Sequence, residues 1–289
     1  MPASDDVRET RCIADILRQG SRQLQSTLNL DPSTARIEVQ CLLQHVLGVN
    51  RAYLMTYPER ILNGSETARY QGLFERRMQG EPIAYLLGAR EFFGLDFKVT
   101  PATLIPRPDT ELLVEIALQH LPQRGTVLDM GTGSGAIALS IAHQRPDVAV
   151  VAVDASKAAL DVARENAQRF NLANVRLMQS DWFSQLAGQR FDLIVSNPPY
   201  IEQDDSHLSQ GDVRFEPMTA LASGSDGLDD IRRIVSGAKD HLTPGGWLMF
   251  EHGYNQAGRV RELLDQAGFD RVTSLRDLSG IERVTIARA

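Results

Sequence analysis

The sequence predicts an α/β protein: a small bundle of α-helices, followed by a larger domain with a mostly parallel, doubly wound sheet and an antiparallel C-terminal hairpin. Two observations predict this fold. From Gly125 onward, short apolar runs alternate with helical patterns, which is typical of parallel sheets with helical crossovers. Over about the first 80 residues, apolar side chains recur at helical spacing and no strand alternation appears. At 289 residues, the chain is long enough for two domains.

Residues 1–80 are predicted to form the helical domain. Asp31 is expected to cap one helix beginning at Pro32, and Gly48 to end it. A further helix is expected from near Glu66 to Met78. The first helix is indicated by an apolar series at near-helical spacing, namely Ile13, Ile16, Leu17, Leu24 and Leu28.

A linking β-hairpin is predicted over residues 81–105, where aromatic residues and glycines alternate. The following stretch, residues 104–108, is expected to be extended because proline disfavours helix at the residue before it. Asp109 or Thr110 is then expected to cap a helix that runs through Leu121.

The larger domain is predicted over residues 106–289. Its tail is expected to form two strands with a glycine-containing turn. The predicted helices are 136–144, 156–170 and 228–241. The predicted strands are 126–130, 148–153, 175–179, 191–196 and 247–251.

Composition narrows the functional class. Hydrophobic residues make up 43% and charged residues 23%, which is the balance of an ordinary globular protein. The formal net charge of −7 argues against a protein whose main function is to bind a nucleic-acid backbone.

The N-terminus has no signal-peptide core and no apolar run is long enough to span a bilayer, so we expect a cytoplasmic protein without membrane contact. Cys12 and Cys41 are expected to be buried thiols, and no metal site is expected.

A glycine-rich loop after the first strand predicts a cofactor site. It comprises Gly131, Thr132, Gly133, Ser134 and Gly135. Glycines allow the backbone to lie against a ligand, and the next helix presents its N-terminus to the same place. With Ala136, the loop also satisfies the dinucleotide fingerprint, so it fits either NAD or S-adenosylmethionine.

Two further strand ends carry candidate cofactor residues. Asp154, at the end of the second strand, can accept hydrogen bonds from the ribose hydroxyls of an adenosine, or can simply cap a helix. Asp181 follows the third strand and can accept the adenine amino group. Trp182, beside it, can pack on the adenine face or can belong to the core.

The fourth strand ends in Asn197, Pro198, Pro199 and Tyr200, the most informative tetrapeptide in the chain. Pro198 stiffens the turn, so the Asn197 side-chain oxygen and the Pro198 carbonyl become two close, fixed acceptors. They suit the two N–H groups of a planar –NH2 group, on which Tyr200 can stack. An amide nitrogen is a poor nucleophile because its lone pair is delocalised, so alignment with an electrophilic methyl group is the expected contribution of the site.

These motifs resemble the amino-methyltransferases with an Asn-Pro-Pro-Tyr motif. Four longer stretches narrow the resemblance to the release-factor glutamine methyltransferase family: EPIAYLLGAREFFGLDFKVTPATLIPRPDTELLVE, VLDMGTGSGAIALSIA, SNPPYI and FEPMTALASGSDGL. From about residue 80 to the end, the chain matches the family in its sequence motifs. The N-terminal helices resemble the family in their helical character more than in motif. It implies a Rossmann-like class I methyltransferase domain, S-adenosylmethionine as methyl donor with S-adenosylhomocysteine as product, and transfer to the glutamine of the Gly-Gly-Gln motif in class I peptide chain release factors.

The resemblance also implies site roles. It places the glycine loop, Asp154, Trp182 and Asn197 at the cofactor. The four residues of the Asn-Pro-Pro-Tyr motif are implied to hold the glutamine. Arg107 and Glu216 are expected to shape the substrate entrance, and His252 to be a hydrogen-bonded structural residue.

Four other functions compete with this one. A ribosomal-protein glutamine methyltransferase would share the motif and the hairpin, and would differ in the helical domain. A nucleic-acid amino-methyltransferase would usually carry a target-recognition domain and a basic cleft, so no direct DNA binding is expected. If the protein were a dehydrogenase, the Asn-Pro-Pro-Tyr motif at residues 197–200 would have no explanation. A non-catalytic docking module would have no need for an intact motif at these positions.

Overall fold

The computed structural model describes residues 12–289, so the polar N-terminal stretch lies outside the described residues. The chain divides into two compact units, Met1–Leu87 and Gly88–Ala289. The predicted fold class is confirmed: the chain has an N-terminal helical part, a small β-hairpin and a seven-stranded mixed sheet with an antiparallel C-terminal end. No helix among the described residues is long and apolar enough to cross a membrane.

The helical unit is organised around one apolar core to which Ile13, Leu24, Val39 and Leu42 contribute. Asp31 caps the second helix as predicted, because its carboxylate accepts hydrogen bonds from the Ser33 and Thr34 amides. Its helices are α1 Ile13–Leu28, α2 Pro32–Leu47, α3 Arg51–Thr56, α4 Gly64–Met78 and α5 Ile83–Leu87.

Three local features of this unit differ from the sequence-based expectation. α3 was not predicted, and α4 begins at Gly64 because Asn63 and Glu66 form a reciprocal capping box. Cys12 and Cys41 are only partly buried thiols.

One buried ion pair crosses the helical core. Arg77 on α4 donates from Nε to Glu38 on α2 at 2.7 Å, and from Nη2 at 3.1 Å. The side chains are only 2% and 9% exposed. Because both charges are removed from water, their pairing offsets part of the cost of burying them.

The hairpin forms over a shorter stretch than predicted. Its strands are β1 Ala89–Phe92 and β2 Leu95–Lys98, which pair in antiparallel register. Residues 83–87, included in the predicted hairpin, are the short helix α5. The run Ile83-Ala84-Tyr85-Leu86-Leu87 is apolar throughout, and such a run does not distinguish strand from helix by periodicity.

The strands of the large sheet are β3 Thr126–Met130, β4 Ala149–Asp154, β5 Val175–Gln179, β6 Phe191–Ser196, β7 Leu242–Glu251, β8 Asp270–Arg276 and β9 Glu282–Arg288. Their order in the sheet is β5-β4-β3-β6-β7-β9-β8. Strands β3 to β7 are parallel to one another, and β9 runs antiparallel to both β7 and β8. The strand order reverses at β3, which lies between β4 and β6, and ligands bind at such switch points.

Helices cover both faces of the sheet, namely α6 Glu111–His120, α7 Ala136–Gln144, α8 Lys157–Arg169, α9 Asp229–Ala238 and α10 Ala257–Gln266. Helices α6 and α7 pack with the hairpin aromatics Phe92 and Phe97 on one face, and α9 and α10 pack on the other. Helix α8 lies against β4 and β5.

Candidate active site

A cavity opens in the second unit where β3, β4 and β6 end. This is the switch point of the sheet, and it collects side chains from sequence positions far apart. The predicted site residues that line it are Arg107, Gly131, Thr132, Gly133, Ser134, Asp154, Asp181, Trp182, Asn197 and Pro199.

The remaining predicted site residues support the wall from behind. Gly135 and Pro198 are buried, the completely buried carboxylate of Glu216 holds Arg107, and the Tyr200 ring is directed towards Glu251. None of these four is among the lining residues. Stacking of Tyr200 on a substrate and acceptance by the Pro198 carbonyl therefore stay predictions.

Close packing explains the glycine at the end of the cofactor loop. Gly135 has φ +86°, in the left-handed region, and a Cβ there would lie 2.8 Å from a methyl carbon of Leu139. The loop is tied to the end of β4, because the Gly131 and Thr132 amides donate to the Val153 carbonyl at 2.9 and 3.0 Å. The turn is thus held in place before any ligand binds.

Two aspartates support this loop. Asp154 accepts from the Gly133 amide at 2.9 Å and from the Ser156 amide at 2.8 Å, and the side chain that caps α8 is that of Ser156. Asp129 is fully buried beneath the loop, where it accepts from the Thr132 hydroxyl at 2.6 Å. Burial raises the pKa of Asp129 to about 7 and also raises the pKa of Asp154. Of these two aspartates, only Asp154 lines the cavity and is available to a ligand.

Trp182 and Asp181 form another part of the wall. Trp182 is partly buried and packs over the glycine loop, since a Cβ on Gly131 would lie 3.8 Å from its ring. Asp181 is exposed and accepts from Arg233 Nη2 at 2.8 Å. Arg233 and Asp230, three residues apart on α9, both line the cavity.

Asn197 stands at the end of β6 and is held by a polar contact. Its Nδ2 donates to Thr110 Oγ1 at 3.2 Å, and Glu251 lies at the end of β7. Tyr200 donates to Glu251 Oε1 at 3.3 Å. Thr110 precedes α6 without the predicted side-chain cap, and its hydroxyl oxygen accepts from Asn197 instead. The Asn197 carboxamide is therefore anchored on its nitrogen side.

The backbone after Asn197 is held from a different direction. Gln256 Nε2 donates to the Tyr200 carbonyl at 2.9 Å, and Gln256 Oε1 accepts from the Gly253 amide at 2.8 Å. Gly227 lies directly against the same carbonyl, where a Cβ would be 2.3 Å from the oxygen. This crowding makes Gly227 a sensitive probe of the position of the tetrapeptide.

We expect Gly227→Ala to displace the Asn-Pro-Pro-Tyr backbone and to lower turnover about tenfold, short of the roughly 10²-fold that a displacement of about 1 Å can cost. Gly188→Ala is the matched control, because Gly188 has φ +73° against +72° for Gly227 but has nothing within 4 Å of its Cβ position. Both variants carry the same left-handed backbone penalty of about 1–2 kcal/mol. Equal turnover in the two variants would contradict the crowding argument.

An ion pair joins the stretch before α6 to the loop after β6. Arg107 lies against Glu216, and the Ile105 amide donates to the second Glu216 oxygen at 3.1 Å. Burial raises the pKa of Glu216, and the charge of Arg107 opposes that rise. Glu216 thus holds the Arg107 side chain in position at the cavity wall.

His252 is completely buried and away from the cavity lining. Its Nε2 lies 2.8 Å from Thr285 Oγ1 and its Nδ1 lies 3.0 Å from the Gly253 carbonyl. Burial lowers the pKa of His252, so the ring is neutral at pH 7. These contacts agree with the expected structural role.

Several residues of the site are not indicated by the sequence, among them Thr110, Glu251 and Arg233. Thr110 fits the pattern of a helix cap, Glu251 that of a strand end, and Arg233 that of a helix. The three-residue spacing of Asp230 and Arg233, which places both on one helical face, is the available signal for Arg233. Nothing local in the sequence indicates the pairing of Thr110 with Asn197.

The fold and the cavity together define a Rossmann-like methyltransferase domain. The family model for the methyltransferase small domain matches residues 108–214, and the model for the PrmC N-terminal domain matches residues 15–88. The crystal structure of a methyltransferase from Pyrococcus furiosus has the same fold, with a TM-score of 0.53 and 22% identity, and the match covers 74% of this chain and 96% of that one.

Sequence relatives define the family more narrowly. The release factor glutamine methyltransferase of Pseudomonas aeruginosa is 53% identical over 259 residues, covering 89% of this chain and 94% of that protein. The Escherichia coli protein of the same name is 46% identical over 273 residues, covering 94% and 97%. This chain belongs to the release factor glutamine methyltransferase family, which confirms the family predicted from its motifs.

Proposed function

We propose that this protein transfers the methyl group of S-adenosylmethionine to the side-chain nitrogen of the glutamine in the Gly-Gly-Gln motif of class I peptide chain release factors, with S-adenosylhomocysteine as the other product. The observation that carries the proposal is the position of Asn197. Its carboxamide lines the same cavity as the glycine loop, so a substrate amide and a cofactor can meet there. Family membership supports both the reaction and the kind of substrate.

The residues around the cavity fit S-adenosylmethionine. Asp154 lines the cavity, and each of its carboxylate oxygens accepts one backbone hydrogen bond and keeps a lone pair for a ribose hydroxyl. Trp182 provides a flat apolar wall for an adenine, and the amino end of α7 favours a carboxylate. The cofactor supplies an electrophilic methyl group on a sulfonium sulfur.

Replacing Asp154 with alanine is expected to weaken S-adenosylmethionine binding by about 10- to 100-fold, since a hydrogen bond to a charged group contributes about 1.5–3 kcal/mol. Asp161→Ala, on the exposed side of α8, is the control and is expected to bind like wild type. Calorimetric titration of all three proteins measures the effect, and a parallel titration with NAD is expected to show no binding. Unchanged affinity in Asp154→Ala would remove Asp154 from the cofactor site.

The chain's own contribution to the transfer is to orient the substrate. The Asn197 oxygen and the Pro198 carbonyl accept the two N–H groups of the glutamine amide and direct its nitrogen towards the methyl group. In-line holding of two reactants can contribute up to about 7–11 kcal/mol. The alkylated nitrogen is strongly acidic and loses its proton readily, so no residue needs to act as a general base before transfer.

We assign recognition of the body of the release factor to the helical domain, predicted as residues 1–80. A glutamine side chain alone offers too little surface for selectivity, and methyl transfer itself does not need these helices. The unit carries exposed apolar side chains suited to protein contact, namely Ile37, Met55, Tyr57 and Ile61. Release factors act on ribosomes, which places the proposed reaction in the cytoplasm.

Mass spectrometry of a class I release factor incubated with the protein and S-adenosylmethionine tests the proposal. We expect a gain of one methyl group, and no gain in a factor whose Gly-Gly-Gln glutamine is replaced by alanine. Ribosomal proteins and duplex DNA, offered in parallel, are expected to stay unmodified. Methylation of a ribosomal protein with an unmodified release factor would favour the ribosomal-protein alternative instead.

A further inference from the structure

A buried asparagine on α8 contacts both the glycine loop and the end of the hairpin. Asn166 is 0% exposed, and its side chain forms three hydrogen bonds within the second unit. Its Nδ2 donates to the Ser134 carbonyl at 2.9 Å and to the Lys98 carbonyl at 3.0 Å. Its Oδ1 accepts from the Lys98 amide at 2.8 Å. One carboxamide thus joins two parts of the backbone that are distant in the sequence.

These bonds favour a single orientation of the Asn166 carboxamide. Its –NH2 group meets two carbonyls and its oxygen meets an amide, so both polar atoms of the side chain have partners. In the flipped form the oxygen would face the two carbonyls, and all three backbone groups would lose their partners at a cost in stability. The carboxamide is therefore a rigid link between the segments that it joins.

Both partners of Asn166 lead to walls of the candidate active site. Ser134 is 3% exposed and lines the cavity as part of the glycine loop. Lys98 ends β2, and the chain that follows it reaches the opposite part of the lining. Asn166 is not itself a lining residue, so it acts on both walls from behind. The lining residues that follow Lys98 are Ala102, Thr103, Leu104, Pro106 and Arg107.

Other polar contacts between α8 and β2 lie at the surface. The Lys98 side chain pairs with Glu165, and Arg169 pairs with Asp96 at 2.9 Å. All four side chains are exposed, and ion pairs of this kind contribute little to stability. Neither pair involves the glycine loop. Asn166 is thus the buried, directional contact that connects the hairpin to the loop.

We propose that Asn166 is a positioning residue that holds the glycine loop and the stretch after β2 together, so that the cofactor cavity keeps its shape before a ligand binds. Its effect on binding rests on the proposed use of S-adenosylmethionine, whereas its hold on the two walls does not. An apparent dissociation constant rises in inverse proportion to the fraction of protein in the binding-competent form. A fall of this fraction to about a tenth raises the constant about tenfold.

Calorimetric titration with S-adenosylmethionine compares Asn166→Ala with a matched control, Asn174→Ala. The Asn174 Nδ2 also donates to backbone groups of the second unit, namely the carbonyls of Ala142, Arg145 and Val148 at 3.2, 3.2 and 3.1 Å. None of these residues lines the cavity. We expect the dissociation constant to rise about tenfold in Asn166→Ala and to stay within about twofold of wild type in Asn174→Ala.

Both substitutions are expected to lower the stability of the second unit, because each leaves backbone carbonyls without a partner. Urea unfolding followed by tryptophan fluorescence measures that loss. An equal rise of the dissociation constant in the two variants would indicate general loosening and would overturn the proposal. If Asn166→Ala does not fold, Asn166→Ser and Asn174→Ser replace the alanine variants, since serine keeps one hydroxyl donor. Wild-type affinity in Asn166→Ser would also overturn the proposal.

The hold on the two walls is measurable without any ligand. In hydrogen–deuterium exchange followed by mass spectrometry, we expect faster exchange in peptides covering residues 131–135 and 98–107 of the Asn166 variant. The same peptides are expected to exchange as in wild type in the Asn174 variant. If the wild type binds no S-adenosylmethionine but this pattern is found, the proposed function fails and the positioning role stands. Unchanged exchange in both peptides of the Asn166 variant overturns the inference whatever the affinity.

Discussion

Replacing Asn197 with alanine is expected to slow methyl transfer by about 10²–10³-fold, the loss seen when one preorganised hydrogen-bonding group is removed from a transition-state site. Alanine removes the acceptor that orients the substrate amide, so its nitrogen is free to rotate away from the methyl group. Binding of S-adenosylmethionine is expected to weaken less, because Asp154 and Trp182 remain. Single-turnover methylation of a release factor, with cofactor saturating, measures the chemical step.

Asn197→Asp gives a finer test of the same residue. Aspartate keeps an acceptor and nearly the same shape, but it places a negative charge beside a sulfonium and favours the cationic ground state over the transition state. It also lacks the –NH2 group that donates to Thr110. We expect a rate between those of wild type and Asn197→Ala. Equal rates of methyl transfer in the Asn197→Ala variant and the wild type would mean that Asn197 does not orient the substrate.

Glu38→Gln is expected to lower the free energy of unfolding of the helical unit by about 3–5 kcal/mol, because it removes a carboxylate that pairs with the buried Arg77 charge. Glu81→Gln is the matched control: Glu81 pairs with Arg76, the neighbour of Arg77, but the Arg76 side chain is 52% exposed. A partly solvated pair of this kind contributes about 0–1 kcal/mol.

Urea unfolding followed by far-ultraviolet circular dichroism measures this difference. The only two tryptophans, Trp182 and Trp247, both lie in the second unit, so their fluorescence reports on that unit and serves as an internal control. We expect the circular dichroism transition of Glu38→Gln to move to lower urea and that of Glu81→Gln to stay near wild type. Equal small shifts in both variants would show that the buried pair contributes no more than the exposed one.

Much of the fold was predictable because its signals are local. The predicted strands 126–130, 175–179 and 191–196 match the observed ones, since each is a short segment rich in apolar residues and bounded by turn residues. The cap at Asp31 was predictable from two neighbouring residues. Helices α3 and α5 were missed because six and five residues are too few to show a helical period.

The cavity shows the same contrast between local and distant signals. The glycine loop and residues 197–200 are contiguous motifs, so their chemistry could be inferred from the sequence alone. Thr110 and Asn197 are 87 positions apart, and Tyr200 and Glu251 are 51 apart, so their contacts depend on the order of strands in the sheet. Thr110 fits the local pattern of a helix cap, but in the fold its hydroxyl oxygen accepts a hydrogen bond from Asn197 instead.

The central claim is that this methyltransferase modifies the side-chain nitrogen of a glutamine held by Asn197. The most direct test is to locate the transferred methyl group in a release factor treated with the protein and S-adenosylmethionine. Peptide fragmentation identifies the residue, and hydrolysis of that peptide identifies the atom, since an N-methyl amide releases methylamine and a carbon- or oxygen-linked methyl group does not. We predict a single methyl group on the Gly-Gly-Gln glutamine and release of one equivalent of methylamine, whereas a methyl group on any other residue, or hydrolysis without methylamine, would contradict the account.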